Sequence, residues 1–420
     1  MSNAYNNASL IVPVANYEAG TIFSLVPTDG SGDLSFSRAG SKMVRNSAGL
    51  WETIGTNIPP LHYPVGGGCP SWLFEAEATN ILTRSLDYSV GAVWEKNANI
   101  VLTSGQSSPT VAGNEGWKID KSVGGADELI YQSYQVAGSV ATATFYILKD
   151  SNVSRFPEFF HRVNLGESEQ YVQINTMTGA VDIRTSSGTV SQSIESDGNF
   201  WVLKLTNSGI TGTNPDSRYG IRPAASVTLG GSVDNSLTGF VIVWNAQVEL
   251  GSVATSPIIT AGSSVTRLRD VPLSIATPLL LNDFSIYMEF NLSKINQGVG
   301  FVLFGSIDSA AISRIYIDNA AAMNFDVGTS YTSIGSSGLA INTDYKVCFT
   351  RSGTTLKYYR NGSLIGTWTV SGDVFKLTSF GNGVDGGGDT GKYIALGSFK
   401  NSIAYLTALS TTEANELTTL

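Results

Sequence analysis

Short runs of alternating apolar residues, each closed by turn-forming residues, constrain the fold of this chain more than any other feature. The clearest run is residues 284–292 (FSIYMEFNL), in which every second side chain is apolar. A two-residue period places those side chains on one face of a β-strand. The 45 glycines and many of the Ser, Thr and Asn residues fall between such runs, and long amphipathic helices are nearly absent. The pattern therefore predicts an all-β chain with many tight turns.

Two local signals predict particular elements near the C-terminus. Asn361-Gly362 lies between the strand-like runs 355–360 and 363–368, and this dipeptide is favoured where both central residues of a hairpin turn need positive φ. Ser410 and Glu413 have the S-x-x-E spacing of a capping box. We therefore expect a tight hairpin at residues 361–362 and one short helix at the end of the chain.

The 420 residues are too many for one hydrophobic core, and at roughly 100–200 residues per domain they predict two or three domains. Residues 1–85 are the least regular part and are expected to form an extended segment with small strands that packs on a neighbour. Residues 86–265 carry short strand-like runs with turn signals between them, which is typical of a sandwich. Residues 266–420 form the third predicted block.

Charge and hydropathy exclude two classes of partner. The formal charge of −9 opposes the neutralisation of phosphates, so no nucleic acid is expected to bind. No stretch approaches the roughly 20 apolar residues that span a bilayer, so no membrane insertion is expected. Cys69 and Cys348 lie far apart in the sequence and do not indicate a disulfide framework.

Several segments resemble those of known proteins. Residues 36–82, with FSR, VRNSAGLWE, NIP, LFE and TNIL, resemble a segment of phage and prophage structural proteins that precedes a jelly-roll module. Residues 246–256 (AQVELGSVATS) and 260–267 (TAGSSVTR) resemble the exit from that module. Between them the chain is similar to carbohydrate-binding jelly rolls. Residues from about 275 resemble a laminin G-like, concanavalin A-type sandwich, with its opening strand and its YRNG hairpin at 359–362.

This resemblance implies tandem β-sandwiches, a jelly roll followed by a concanavalin A/laminin G-like domain, after an irregular N-terminal anchoring segment. It also implies a virion structural protein of tail- or head-fibre type, which assembles in the host cytoplasm. No secretory signal is visible in residues 1–10, which fits a particle released by host lysis. Residues 1–85 would contact other virion proteins, and analogy with fibres suggests a homo-oligomer, a trimer. Host-surface polysaccharide is the expected ligand.

Two alternatives stay open at this point. One is a purely structural capsid or tail decoration protein, whose sandwiches bind only other virion proteins. The other is a polysaccharide depolymerase, which would need two carboxylates converging in a groove.

Sugar rings stack on aromatic side chains and form hydrogen bonds at their rim. The aromatic residues that we expect to contact glycan are Trp94, Trp117, Tyr131 and Tyr134 in the middle block and Tyr331 in the third. Trp201 and Trp244 lie inside apolar runs and are expected in the core instead.

No catalytic residue is predicted. Only two histidines, His62 and His161, occur, and neither has a Cys or His at metal-ligand spacing. The Glu-x-Asp-x-x-Glu pattern of concanavalin A-type glycosidases is missing, and the nearest pair, Glu167 and Glu169, is expected to be solvated. The chain is therefore expected to bind rather than to catalyse.

Calcium is the one cofactor for which the sequence offers candidate ligands. Asn382, Asp385 and Asp389 bracket the loop 386–388, and hard cations need several such oxygens. The spacing of an EF-hand is absent, so a loop without an ion is the alternative.

Overall fold

The computed structural model describes residues 6–136, 138–151, 155–212, 216–275, 277–293, 301–306, 313–318, 320–380 and 397–419. Their regular secondary structure is almost entirely antiparallel β-sheet. The prediction of an all-β chain of tandem β-sandwiches is therefore confirmed.

Nine short strands lie within residues 6–85, the described part of the N-terminal block. They are β1 (Leu10–Val12), β2 (Tyr17–Glu18), β3 (Thr21–Ile22), β4 (Leu34–Ser37), β5 (Lys42–Arg45), β6 (Trp51–Ile54), β7 (Leu61–His62), β8 (Ser71–Phe74) and β9 (Ala78–Asn80).

The middle of the chain forms the jelly-roll sandwich, whose described residues contain twelve strands and a single helical turn. They are β10 (Trp94–Lys96), β11 (Ile100–Gln106), β12 (Gly116–Lys121), β13 (Ile130–Tyr134), β14 (Val140–Leu148), β15 (Phe156–Val163), α1 (Asn164–Glu167), β16 (Ser168–Ile174), β17 (Val181–Ser187), β18 (Thr189–Asp197), β19 (Phe200–Ser208), β20 (Ser217–Ser226) and β21 (Gly239–Leu250).

The remaining elements belong to the C-terminal part of the chain. They are β22 (Val265–Arg267), β23 (Val271–Ile275), β24 (Leu279–Leu281), β25 (Phe284–Leu292), β26 (Phe301–Gly305), β27 (Ser313–Ile317), β28 (Ala322–Val327), β29 (Ser330–Ser336), β30 (Asp344–Ser352), β31 (Thr355–Arg360), β32 (Ser363–Thr369), β33 (Phe375–Leu377), β34 (Ser379–Phe380), β35 (Gly397–Tyr405) and α2 (Thr411–Thr418).

The jelly-roll sandwich consists of two six-stranded sheets, β10-β13-β20-β15-β16-β17 and β11-β12-β21-β14-β19-β18. Aromatic contacts join the sheets through the core. Phe145 of β14 stacks on Tyr219 of β20 with ring centroids 4.1 Å apart and meets Phe159 of β15 edge-on at 5.1 Å. All three side chains are buried, so these rings pack the two sheets against each other in the core.

The C-terminal sandwich packs the sheet β29-β28-β27-β26-β34 against the long sheet β32-β31-β30-β25-β35-β8-β7. The predicted alternating strand is β25, but this strand is buried on both faces. Helix α2 is the reason, since Ala414 and Leu417 pack with Tyr287 on the side away from the sandwich core. The predicted hairpin and capping box are confirmed: Asn361 and Gly362 both have positive φ, and Ser410 and Glu413 cap α2 reciprocally.

Strands of the first 85 residues complete the C-terminal sandwich. β35 pairs with β25 along one edge, and its other edge is covered first by β8, with Phe399 opposite Trp72, and then by β1, with Ala404 opposite Leu10. Leu10 and Trp72 belong to the core of that sandwich. This pairing satisfies backbone groups that an open edge would expose. The domain boundaries at residues 85 and 265 stay predictions.

A buried group of five charged residues, the junction ion cluster, holds the two ends of the jelly roll together. Asp270 accepts from Arg38 at 3.0 Å and from Lys42 at 2.6 Å, and Lys42 also lies 2.8 Å from Glu75. Arg267 pairs with the same Glu75 carboxylate. The side chains of Arg38, Lys42 and Asp270 are fully buried, so their pairing must offset a large desolvation cost.

Asn80 connects the two segments that carry the family resemblance, residues 36–82 and residues 246–267. Its amide donates to the carbonyls of Ala246 and Ile258, both at 2.9 Å, and its Oδ1 accepts from the N–H of Val248 at 3.1 Å. β9 and β22 also pair directly. The entry and exit segments of the jelly roll therefore form one structural unit.

Replacing Asp270 by alanine is expected to lower the free energy of unfolding by about 3–5 kcal/mol, because Arg38 and Lys42 would stay buried without their carboxylate. Urea denaturation followed by tryptophan fluorescence measures the change. Glu195→Ala is the matched control, since its pair with Lys204 is largely exposed and should contribute less than about 1 kcal/mol. Equal effects of the two substitutions would contradict the importance of the cluster.

Candidate functional site

One sheet face of the jelly roll carries a row of aromatic side chains that crosses four strands. Tyr131 of β13 lies opposite Gly220 of β20, Gly220 lies opposite Phe160 of β15, and Phe160 lies opposite Tyr171 of β16. Directly opposed residues of antiparallel strands point to the same face. We call this surface the jelly-roll polar face, because charged residues flank the aromatic row on both sides.

The glycine in this row makes space for its neighbour. A Cβ at position 220 would overlap the ring of Phe160, so the ring lies over the bare backbone of β20. The other side of Phe160 stacks on Tyr171 with centroids 5.1 Å apart. Phe160 is buried by these contacts, whereas Tyr131 and Tyr171 are half-buried. The accessible rings of the row are therefore the two tyrosines.

Arginines cover the two tyrosine rings. The Arg218 guanidinium lies 4.3 Å from the Tyr131 ring centroid, and the Arg184 guanidinium lies 5.1 Å from that of Tyr171. Both arginines stay partly exposed, with 31% and 24% of their side chains accessible. The hydroxyl of Tyr131 donates to Glu95 at 2.6 Å. Ring faces, donors and acceptors thus alternate along the surface.

Carboxylates fix the positions of these arginines. Glu158 is fully buried and pairs with both Arg184 and Arg222. Arg222 also forms a bidentate pair with Asp127, at 2.7 and 2.9 Å, and this hydrogen bonding holds the pKa of Asp127 below its usual range. On the other side of the aromatic row, Asp216 accepts from Arg162 at 2.7 Å and from Arg218 at 2.8 Å.

The structure places the five predicted aromatic residues differently. Tyr131 lies on the jelly-roll polar face. Trp94 and Tyr134 are buried, with 1% and 7% exposure, so they are corrected to core residues whose rings are closed to a ligand. Trp94 stacks on Tyr88 at 4.3 Å inside the sandwich. Trp117 is half-buried, and its indole N–H donates to the carbonyl of Leu86 at 2.6 Å.

The core position of Tyr134 is fixed by His161. The Tyr134 hydroxyl lies 2.5 Å from His161 Nε2, and Nδ1 of the same ring lies 3.0 Å from the carbonyl of Leu205. Burial lowers the pKa of His161 to about 4, so the ring is neutral in the folded protein near pH 7. Both residues therefore act as core groups with satisfied hydrogen bonds.

Tyr331 is the most exposed of the five, at 60%, and lies on the outer face of the C-terminal sandwich. Its hydroxyl donates to Asn324 at 2.8 Å, and its neighbour across the strands is Asp326. Arg314 donates to Asp326 at 2.8 Å and lies over the ring of Tyr316 at 4.2 Å. This second aromatic and polar surface repeats the chemistry of the first on a smaller scale.

The predicted calcium ligands, Asn382, Asp385 and Asp389, lie outside the described residues. Within the described ranges, no group of three His, Cys, Asp or Glu side chains is placed to hold a metal ion. No helix in the described part of the chain is long and apolar enough to cross a membrane.

A cleft of about 330 Å³ lies between the first 85 residues and the jelly roll. Two buried carboxylates, Glu75 and Glu249, line it. Neither is free to act on a substrate: Glu75 is held by Lys42 and Arg267, and Glu249 accepts from Thr255 at 2.6 Å and from Gln247 at 2.6 Å. Burial raises the pKa of Glu249, and the cations beside Glu75 hold its pKa well below its usual range.

The pair His62 and Trp51 lines the same cleft. Nδ1 of His62 accepts from the backbone N–H of Arg45 at 3.0 Å. Burial and the nearby Arg45 lower the pKa of His62 to about 3. A buried neutral ring that already accepts a hydrogen bond is a structural group.

No family model matches the chain, and no curated protein matches it. Its fold is similar to parts of several solved structures. A SAP-like pentraxin of Limulus polyphemus is 17% identical over 32% of this chain and 69% of its own, with a TM-score of 0.26. The CBM40 module of a Ruminococcus gnavus sialidase is 18% identical over 33% and 83%, with a TM-score of 0.28. Domain 4 of the arabinanase AbnA from Geobacillus stearothermophilus is 14% identical over 40% and 82%, also at 0.28. At these scores the likenesses do not assign a ligand.

The neutral state of His161 makes stability depend on pH. A histidine whose pKa falls from 6.5 unfolded to about 4 folded contributes stability that is complete above pH 6.5 and is lost as the pH falls towards 4. The contribution is about 3 kcal/mol. Urea denaturation of the wild type and of His161→Gln should therefore show a stability difference that shrinks between pH 7 and pH 4. Because the pKa of His62 is also lowered, the control repeats the comparison in a His62→Gln background, where His161→Gln should show the same pH-dependent difference. A stability difference between wild type and His161→Gln that stays constant from pH 7 to pH 4 would contradict the prediction.

Proposed function

We propose that this chain is a non-enzymatic structural protein of a bacteriophage particle, of fibre type, whose jelly-roll polar face contacts host-surface glycan. The observation that carries the glycan part is the row Tyr131, Phe160 and Tyr171, flanked by arginine–carboxylate pairs. Aromatic faces bordered by fixed donors and acceptors suit the apolar faces and hydroxyl rims of sugars.

The virion part of the proposal is supported by the sequence resemblance of residues 36–82 and 246–267. In the fold, these two segments meet through Asn80 and the junction ion cluster. Two firmly joined sandwiches suit a virion component that must hold one module at a distance from the particle. Contacts with other virion proteins, a homotrimeric arrangement and assembly in the host cytoplasm belong to the same proposal.

The charge of the jelly-roll polar face favours a neutral, hydroxyl-rich glycan. An anionic ligand would gain little from net charge, because the carboxylates match or outnumber the arginines. The charged residues of this face are Arg162, Arg184, Arg218 and Arg222 against Glu95, Asp127, Glu158, Glu169 and Asp216. Weak binding at one such face would gain strength from many copies on one particle.

The test begins with a glycan array probed with the full chain, with the release of reducing ends followed in the same samples. Saturable binding without release of sugar is the expected result. Release of sugar would overturn the non-enzymatic part of the proposal. Absence of both binding and release would instead favour a decoration protein that contacts only virion partners.

Substitution of Tyr131 or Tyr171 by alanine is expected to weaken binding of the array-selected glycan by about twofold to twelvefold, because each aromatic face contributes about 0.5–1.5 kcal/mol. Isothermal titration calorimetry measures the affinity. Tyr331→Ala is the matched control, since it removes an exposed tyrosine from the other sandwich. Loss of binding in Tyr331→Ala with unchanged binding in Tyr131→Ala would move the site to the C-terminal sandwich.

A further inference from the structure

The amine of Lys42 lies unusually close to two carboxylates in a dry environment. Nζ is 2.6 Å from Asp270 Oδ2 and 2.8 Å from Glu75 Oε2. The side chains of Lys42 and Asp270 are both fully buried. We propose that Lys42 and Asp270 condense spontaneously to form an intramolecular isopeptide bond, with Glu75 transferring a proton.

Condensation would remove one buried charge of each sign. The side chains of Lys42 and Asp270 are both fully buried, so the ammonium and the carboxylate have both lost their hydration. A desolvated ion pair is costly, and an amide in its place carries no charge. Transfer of one proton from Lys42 to Asp270 gives a neutral amine, which is a nucleophile, and a neutral carboxyl group.

The hydrogen bonds around Lys42 leave its lone pair directed at Asp270. The ammonium group has three acceptors, namely the carbonyl of Leu73 at 2.5 Å, Asp270 and Glu75. A neutral amine has only two protons to donate. Donation to Leu73 and Glu75 leaves the lone pair for the remaining neighbour, the carboxyl carbon of Asp270.

Arg38 is placed to stabilise the charge that develops in this reaction. Its Nη1 lies 3.0 Å from Oδ1 of Asp270, the oxygen that would remain in the amide. The other oxygen, Oδ2, faces Lys42 and accepts from the N–H of Glu75 at 2.9 Å. The two carboxylate oxygens therefore have different partners: one is held by a cation as an oxyanion would be, and the other is the leaving oxygen.

The condensation balances without an external reagent. The lone pair of Nζ forms the bond to Cγ of Asp270, and the Cγ–Oδ2 bond breaks. Oδ2 first takes one proton from the ammonium group. Glu75 then accepts a second proton from Nζ and delivers it to Oδ2, which leaves as water. An ammonium and a carboxylate thus become one secondary amide and one water, and nothing is oxidised or reduced.

The bond would connect the two ends of the jelly-roll module. Lys42 precedes the module and Asp270 follows it, 228 positions further along the chain. A covalent link at this point keeps the base of the module closed when the chain is pulled or denatured, much as a disulfide restricts the unfolded state. This inference is independent of glycan binding.

Intact-mass spectrometry of the full chain under denaturing conditions tests the proposal directly. The expected mass is lower than that of the sequence by about 18 Da, the mass of one water lost in forming the amide. Digestion should also yield one branched peptide that joins the segments containing Lys42 and Asp270. A full sequence mass in the folded, purified protein would overturn the proposal and leave an ionic junction.

Variants assign the roles of the individual residues. Lys42→Arg and Asp270→Ala should both restore the full mass, and Glu75→Gln should restore it while leaving both reacting groups in place. Lys204→Arg, on an exposed ion pair, is the matched control and should keep the mass loss. If a variant of the cluster fails to fold, the wild-type mass and the branched peptide still decide. Retention of the mass loss in Glu75→Gln would overturn the role given to Glu75.

Discussion

The arrangement of this chain depends on the burial of five charged side chains at one point. Desolvation of Arg38, Lys42 and Asp270 costs several kcal/mol for each ion, so the site is stable only when every partner is present. A register slip of β4 or β23 would separate Arg38 from Asp270 and leave charges unpaired. The cluster therefore matters less for the stability that it adds than for the single strand register in which all of its charges are paired. It selects the one arrangement in which the first 85 residues meet the exit of the jelly roll.

The junction ion cluster explains how the two sandwiches share one base, which is formed by the first 85 residues. β1 and β8 are too short to be stable alone, yet they complete the edge of β35 and contribute Leu10 and Trp72 to the C-terminal core. The C-terminal sandwich consequently needs residues from both ends of the chain. Closing so long a loop costs entropy that grows only slowly with length, and the buried apolar surface offsets it. The jelly roll is inserted between these partners and has its own core.

Local signals in the sequence were sufficient for local structure. The Asn361-Gly362 hairpin and the Ser410 cap depend on neighbouring residues and were predicted at the right positions. The pairing of β1 with β35 was not predictable, because strand partners far apart in sequence are selected by the whole core. It was also difficult to predict which residues of β13 face the core, because one of its buried residues, Gln132, is polar and interrupts the apolar alternation. Strict alternation would still have separated Tyr131 from Tyr134, and that signal could have identified the half-buried, accessible ring of Tyr131.

A buried polar residue also made the position of Tyr171 difficult to predict from the sequence. Its strand, β16, buries Gln170, whose amide donates to Asn207 at 2.7 Å and to the carbonyl of Thr206 at 3.0 Å. A polar residue in the core makes the outward face of a strand look no more polar than the inward one. The jelly-roll polar face is therefore visible only when the cross-strand register is known, since its aromatic row takes one residue from each of three strands and a glycine from a fourth. Because buried Glu158 anchors Arg184 and Arg222 while Arg184 and Arg218 remain partly exposed, this surface combines a rigid base with side chains that can adjust to a ligand.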